Sequence, residues 1–304
     1  DFLPGTLLAD TWLQSLMIWQ DQQRLHTLYK CYYEFLKQYA AENPDAGDML
    51  DILPFNIIID ESGGYRSFDR EWLLEEKIAP EFVLFRALFW FVYGNSRQFA
   101  PLFDSNEWSS IRAYLLHCFE QLELTVEDRL DGFAEMEDRL QAAIGTVRQD
   151  SLIGSLLDTV PQKQSGETIF HPRLYWALPG QYCSEKNSIK ATAVLGSGHQ
   201  LITYDVPVKL AADSLLRFDP AERDGYFHLY RLKLMDMAEP EKVLLDLNSI
   251  EQIAGAFDSK AVSFCGDGDS AVFIAHDRDP YFEYRLATAA ENLRVEIEMD
   301  WPHS

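Results

Sequence analysis

The stretch Pro161-Gln162-Lys163-Gln164-Ser165-Gly166-Glu167 divides the chain. It has no apolar periodicity, and its composition is that of a linker. The hydrophobic period differs on its two sides, and that difference decides the fold. Upstream, apolar residues recur every three or four positions: Leu7, Leu8, Trp12, Leu16 and Trp19, then Leu28, Cys31, Tyr32, Phe35, Leu36 and Tyr39, then Ile111, Leu115, Leu116 and Phe119. That is helix spacing. Phe82–Phe91 is apolar all round except at Arg86, the pattern of a helix buried in a bundle.

Downstream, the runs are short and rich in β-formers: Thr168–Tyr175, Ile189–Val194, Gln200–Val206, Leu215–Phe218, Tyr226–Met235, Ala261–Cys265, Ala271–Ala275, Phe282–Leu286 and Leu293–Trp301. In the last of these Val295, Ile297 and Met299 alternate with Glu296, Glu298 and Asp300, a strand with two unlike faces. Turn signals such as Gly196-Ser197-Gly198, Asp224-Gly225 and Gly266-Asp267-Gly268 separate the runs, and Ser249–Ala256 alone reads as helix. The expected fold is α+β and multidomain: a helical region over 1–120, a connecting helix over 121–160 and an antiparallel β-sandwich over 161–304.

The connecting helix carries a stripe at Val126, Leu130, Phe133, Leu140, Ile144 and Val147, with Glu137 in the missing seam position. Two arrangements fit it: an amphipathic helix packed on its own domain, or a short coiled coil that joins two copies through 121–160.

Composition bounds the function. Of 304 residues, 47% are hydrophobic and 25% charged, so the chain can build a core. Lys and Arg number 26 against 49 Asp and Glu, a net charge of −23. The excess is spread along the chain, with 12 cations against 27 anions in 1–160 and 14 against 22 in 161–304. Phosphate backbones need clustered cations, so nucleic acids and anionic membranes are not expected partners. Cys31, Cys118, Cys183 and Cys265 stand apart, with no Cys-x-x-Cys, and read as thiols in a reducing compartment. The longest apolar run, Phe82–Gly94, is too short to cross a bilayer, so no transmembrane segment is expected. No signal peptide is visible, and a start at Asp1 rather than Met suggests a piece of a longer protein.

Residues 48–72 read Asp-Met-Leu-Asp-Ile-Leu-Pro-Phe-Asn-Ile-Ile-Ile-Asp-Glu-Ser-Gly-Gly-Tyr-Arg-Ser-Phe-Asp-Arg-Glu-Trp. This is a loop, a strand over Asn56–Asp60, a Gly-Gly turn and a second strand ending at Phe68-Asp69. Such a hairpin gathers Asp51, Asn56 and Asp69. An Asp can accept a hydroxyl proton, and an Asn with a second Asp can hold Mg²⁺ on a triphosphate. The spacing resembles the catalytic region of the protein-kinase-like fold. Asp51 to Asn56 matches the family's Asp-x-x-x-x-Asn with Pro54 in the middle, and Asp69 follows thirteen residues after Asn56, near the family's metal-binding Asp. Phe2-Leu-Pro-Gly5 resembles the hinge of small-molecule kinases, and the resemblance covers roughly 1–120. It implies Asp51 as base, Asn56 and Asp69 as Mg²⁺ ligands, and ATP as donor. Met49 stands where the family has His, and Asp69-Arg-Glu-Trp72 replaces Asp-Phe-Gly. The phosphate-cradling Gly-rich loop and strand Lys are expected upstream of Asp1, so this chain by itself is not expected to turn over ATP.

A narrower resemblance covers both halves. Pro54-Phe-Asn-Ile-Ile-Ile59 with Phe68-Asp-Arg-Glu-Trp72 is similar to a segment of bacterial O-antigen methyltransferases and glycosyltransferases. In the second half, Ile169–Trp176, Tyr182–Ser188, Val206-Pro207, Leu216–Pro220 and Gly225–Arg231 occur in the order found in an accessory β-sandwich fused to such enzymes. That resemblance implies a carbohydrate-binding module. Sugar recognition needs flat aromatic faces for ring C–H surfaces and polar groups for hydroxyls. The candidates are Tyr175, Trp176, Tyr182, Asn187, Arg217, Asp219, Tyr226 and Tyr230. The implied setting is the bacterial cytoplasm, peripheral to the inner membrane through other polysaccharide-assembly enzymes. S-adenosylmethionine would belong to an upstream domain. The competing expectations are an ATP-dependent phosphotransferase acting on a polysaccharide end, and a docking or dimerisation adaptor.

Overall fold

A computed structural model of the chain describes residues 5–18, 20–43, 47–69, 77–143, 153–161, 169–239, 242–260, 262–264, 270–276 and 279–302. Phe2–Pro4, Trp19, Arg70–Trp72, Ile144, Val147, the linker beyond Pro161, Cys265 and the turn at Gly266–Gly268 lie outside the described residues. The chain forms two compact units, Asp1–Gln164 and Ser165–Ser304. The first is mainly helical and the second is built of antiparallel sheets.

The first unit runs β1 (Thr6–Leu7), α1 (Leu8–Met17), α2 (Gln22–Glu42), β2 (Ile57–Ile59), β3 (Tyr65–Ser67), α3 (Pro80–Gly94), α4 (Ser96–Asn106), α5 (Ile111–Gln121), α6 (Leu130–Ala143) and α7 (Ile153–Leu157). Local chemistry sets the starts. The Asp21 side chain accepts from Arg24 N at 2.9 Å and opens α2, and Ser110 does the same for Ala113 N at 3.2 Å on α5. Pro80 begins α3, where a missing N–H costs nothing. The sequence expected Leu7 to be helical. Instead Thr6 and Leu7 pair with Ile59 and Ile58. Gly5 permits that approach: its φ is +143°, and a Cβ there would lie 2.3 Å from the Ile59 carbonyl oxygen.

The core centres on α3, which is buried on nearly every side from Phe82 to Val92. Trp12 of α1 meets Tyr29, Tyr32 and Phe91 edge-on at 4.6, 5.5 and 5.1 Å. The stripe of the connecting helix packs on α3 as well. Val126, Leu130, Phe133 and Ala134 are buried, and Phe133 touches Phe82 and Phe85 at 5.8 and 5.7 Å. Thus Val126, Leu130 and Phe133 of the seam are buried within their own unit, and Leu140 is half-buried. Residues 121–160 belong to this unit rather than forming a separate connector. Glu137, the acidic interruption of that stripe, is fully buried. Its carboxylate accepts from Arg86 Nε at 2.5 Å, Trp90 Nε1 at 2.9 Å and Gln141 Nε2 at 2.8 Å. Arg86, the interruption of the apolar run in α3, also donates to the Leu50 carbonyl at 2.5 Å. The two misfit residues of the sequence are partners.

The second unit runs β4 (Ile169–Phe170), β5 (Arg173–Ala177), β6 (Ser188–Lys190), β7 (Ala193–Val194), β8 (Gln200–Asp205), β9 (Leu215–Asp219), β10 (Gly225–Asp236), β11 (Val243–Leu247), α8 (Ile250–Ala256), β12 (Asp258–Lys260), β13 (Val262–Phe264), β14 (Ala271–Ala275), β15 (Tyr281–Arg285) and β16 (Leu293–Asp300). One sheet has the order β13-β14-β10-β16-β8, with β11 also on β10, and the other β12-β15-β9-β5-β6. The pairings are antiparallel. Leu174, Trp176, Leu216, Phe218 and Phe282 from the second sheet share one core with Ile202, Tyr204, Phe227, Leu232, Val295 and Ile297 from the first. Gly225, at φ +134°, sits where a Cβ would come within 3.2 Å of Trp301 Nε1.

Candidate functional site

In the five-stranded sheet β12-β15-β9-β5-β6, alternation turns Leu174, Trp176, Leu216, Phe218 and Phe282 inward. The same alternation turns Arg173 and Tyr175 of β5, Arg217 and Asp219 of β9, and Tyr281 and Glu283 of β15 outward. Register then makes a row: Tyr175 opposes Arg217, which opposes Glu283. Arg173 opposes Asp219.

Arg217 is the hub. Its Nε and Nη2 donate to the two carboxylate oxygens of Asp219 at 2.7 and 2.9 Å, a bidentate pair. Nη2 also donates to Asp279 at 2.8 Å. The guanidinium carbon lies 3.9 Å from the Tyr281 ring centre and 5.4 Å from that of Tyr175, a cation–π arrangement. Tyr175 Oη donates to Glu185 at 2.9 Å and accepts from Arg173 Nη1 at 3.1 Å, and Arg173 pairs with Glu185. Asp219 is buried, which lifts its carboxyl above the usual range while Arg217 pulls the other way. Burial likewise pushes the Tyr175 phenol up.

The β5–β6 connection folds over this row. Glu185 reaches back to Tyr175, and Cys183 is near enough to Glu283, Arg217 and Asp219 to feel their charges. Burial raises the Cys183 thiol, which suits a packing residue rather than a nucleophile. Tyr182 stands out at 92% exposure. Asn187 closes the short turn before β6, half-buried. Tyr175, Tyr182, Asn187, Arg217 and Asp219 therefore belong to one face and its covering loop.

Three sequence candidates, Trp176, Tyr226 and Tyr230, do not join them. Trp176 follows Tyr175 and so points to the opposite face, where it is only 6% exposed in the core; a ligand from solution cannot stack on it. Tyr226 lies on β10 in the other sheet, in a strip with His228 and Tyr230. Tyr281, Arg173, Glu185 and Asp279 were missed. Tyr281-Phe-Glu-Tyr-Arg285 does carry a signal, because inward Phe282 obliges Tyr281 and Glu283 to face out.

The hairpin of the first unit is a second candidate. Asp51 ends a 3₁₀ turn (Gly47–Asp51) and is buried. Asn56 Nδ2 donates to the Asp51 carbonyl at 3.1 Å, and Phe68 N donates to the Asn56 carbonyl at 2.9 Å. Asp69, one residue further, is exposed with a left-handed φ of +54°. No hydrogen bond joins Asp69 to Asp51 or Asn56. Among the described residues no group of three His, Cys, Asp or Glu is placed to hold a metal ion. No described helix is long and apolar enough to cross a membrane. Cys31 is exposed and Cys118 buried, both as free thiols.

No family model, no curated protein and no solved structure matches this chain.

Proposed function

We propose that the second unit is a β-sandwich that binds glycan on the outer face of its five-stranded sheet. On this reading the chain is an accessory region of a bacterial surface-polysaccharide methyltransferase or glycosyltransferase, the relationship that the ordered sequence segments suggest. The observation that carries it is the cation–π cluster of Arg217 with Tyr175 and Tyr281, buttressed by Asp219 and Asp279. Asp219 and Asp279 fix the guanidinium, and Arg173 and Glu185 hold the Tyr175 hydroxyl, before any ligand arrives, so little of their side-chain entropy is lost on binding. Exposed Tyr182, in the β5–β6 connection, supplies a further apolar ring face. Carboxylates and guanidinium N–H groups supply the acceptors and donors that hydroxyls need. Of this face and its loop, the Tyr182 and Asp279 side chains are exposed parts that a polymer would meet first. Such contacts give millimolar to micromolar affinity, about −4 to −8 kcal/mol.

The test is an NMR titration of the full chain with oligosaccharides from bacterial O-antigen-type polysaccharide. Shifts should concentrate on Tyr175, Tyr182, Arg217 and Tyr281. Tyr182→Ala should weaken binding several-fold without affecting folding, and Arg217→Lys should weaken it by loosening the row. No shift at about millimolar ligand, or shifts confined to the sheet carrying Tyr226, would defeat this site.

A second reading rests on the bond from Asn56 to the Asp51 carbonyl. Committing the amide N–H₂ to backbone leaves Asn56 Oδ1 as a hard oxygen, which with Asp69 could meet Mg²⁺ on a triphosphate while Asp51 takes a proton. This phosphotransferase site needs a phosphate-cradling loop from outside this sequence. A thermal shift with Mg²⁺ and ATP that Asn56→Ala abolishes would favour it over the glycan reading. No residue of this chain is assigned to S-adenosylmethionine.

A further inference from the structure

A groove of about 440 Å³ lies between α2 and α5 in the first unit. Its polar lining comes mainly from Gln22, Gln23, His26 and Lys30 on one helix and His117 and Gln121 on the other, with no carboxylate among the described residues that line it. In a chain with 49 acidic residues against 26 basic ones, a groove lined by an ammonium, two imidazoles and neutral amides is the reverse of the general surface. The spacing explains it: positions 22, 23, 26 and 30 share one face of α2, and 117 and 121 are one turn apart on α5. The His26 and His117 rings are 5.4 Å apart, and both are half-buried. No hydrogen bond from either ring is formed within the described structure.

We propose that this groove binds a tetrahedral oxyanion of the phosphate or sulfate type, held by Lys30, His26 and His117 with the glutamine amides as further donors. Two imidazoles at this distance oppose each other's protonation, and an anion between them removes the opposition. The His26 pKa is lowered by burial and then by His117, as expected of a pair awaiting a counter-charge. Lys30 is the one Lys or Arg among the described residues that line the groove. The Trp108 ring covers His117 at 5.4 Å, and the Tyr29 ring lies 6.1 Å from His26. On its far side His117 borders a separate groove lined by Glu120, Glu123 and Glu127. Affinity must therefore rise as pH falls through the imidazole range. The site is independent of the glycan reading, which concerns the other unit.

The test uses the full chain and inorganic sulfate, whose charge is constant across this range, at fixed ionic strength. Histidine ring resonances are followed by NMR at about pH 6 and about pH 8. The expected result is saturable shifts of His26 and His117, with binding roughly tenfold tighter at the lower pH. Lys30→Ala, at an exposed position, should weaken binding several-fold with the fold intact. His26→Gln with His117→Gln should abolish it. A parallel titration with a simple phosphomonoester separates the sources of the anion: tighter binding than sulfate names a phosphorylated sugar or metabolite, and equal binding names a free oxyanion. Non-saturable shifts, equal affinity at both pH values, indifference to Lys30→Ala, or a response to Zn²⁺ but not to sulfate would each overturn the proposal.

Discussion

At the residue scale, burial separates side chains that the sequence treats alike. Tyr175 and Trp176 are adjacent aromatics in one strand, so alternation puts one inside and one outside without saying which. The neighbouring strands settle it, because Leu216 and Phe218 fix the inner face. Trp176→Ala should destabilise the second unit by about 3–5 kcal/mol, and Tyr182→Ala by less than about 0.5 kcal/mol; denaturant midpoints measure both. Asp60 offers a pH test. Its carboxylate accepts from Ser62 Oγ at 2.6 Å, Ser62 N and Gly64 N at 2.9 Å, and Arg66 Nε at 2.8 Å. The Ser62 hydroxyl and the Gly64 amide, with Arg66, hold its pKa down to about 2. A depressed carboxyl stabilises the hairpin fully above the unfolded value of about 3.9. That contribution is lost as pH falls from there through about 2. Protection of the Gly64 amide relative to its intrinsic exchange rate at each pH should fall in that window, and in Asp60→Ala at neutral pH. An unchanged rate would mean that β2 and β3 hold the turn without it.

At the element scale, the helices were legible from periodicity, and their exceptions were not. α4 was missed because Pro101 sits inside it and its buried apolar residues, Phe99, Ala100 and Phe103, are too few to set a period. β11 was missed because Val243-Leu-Leu-Asp-Leu247 does not alternate, and it forms by pairing with the far half of β10. Arg86 and Glu137 were each visible as an interruption, but nothing local links residues 51 apart in sequence. Their burial makes a sharp prediction. Glu137→Leu leaves Arg86 charged and unpaired in the core, a loss of about 3–5 kcal/mol. Adding Arg86→Met should recover much of it, because the pair, not either charge, is what the core tolerates. Full recovery is not expected: the Leu50 carbonyl and Trp90 Nε1 lose partners, at about 1–3 kcal/mol per buried group. A double-mutant cycle by chemical denaturation measures the coupling, and additive losses would show that α3 and α6 do not communicate through this pair. The same pair bears on the hairpin, because Arg86 anchors the carbonyl immediately before Asp51.

At the scale of the molecule, the two compact units meet in sequence at Gln164/Ser165, inside the stretch Pro161–Glu167 across which the hydrophobic period changes. What that change could not foretell was that the stripe after Val126 would close onto α3, since a heptad seam reads the same whether its partner is another copy or its own unit. The acidic composition was readable as a sum, but the carboxylate-free groove between α2 and α5 emerges only when two helices are juxtaposed. The division itself predicts behaviour. In the second unit, residues of both sheets meet in a shared core, from Phe170 to Trp301. A chain of about 140 residues is large enough to be stable on such a core. Residues 165–304 expressed separately should therefore give a dispersed amide spectrum and unfold in one cooperative step. The intact chain should depart from two-state behaviour, with a calorimetric enthalpy larger than the van't Hoff value, because two cores need not melt together. A disordered isolated segment, or equal enthalpies for the whole chain, would mean that the two units stabilise each other, and glycan titrations would then have meaning only on the full-length chain.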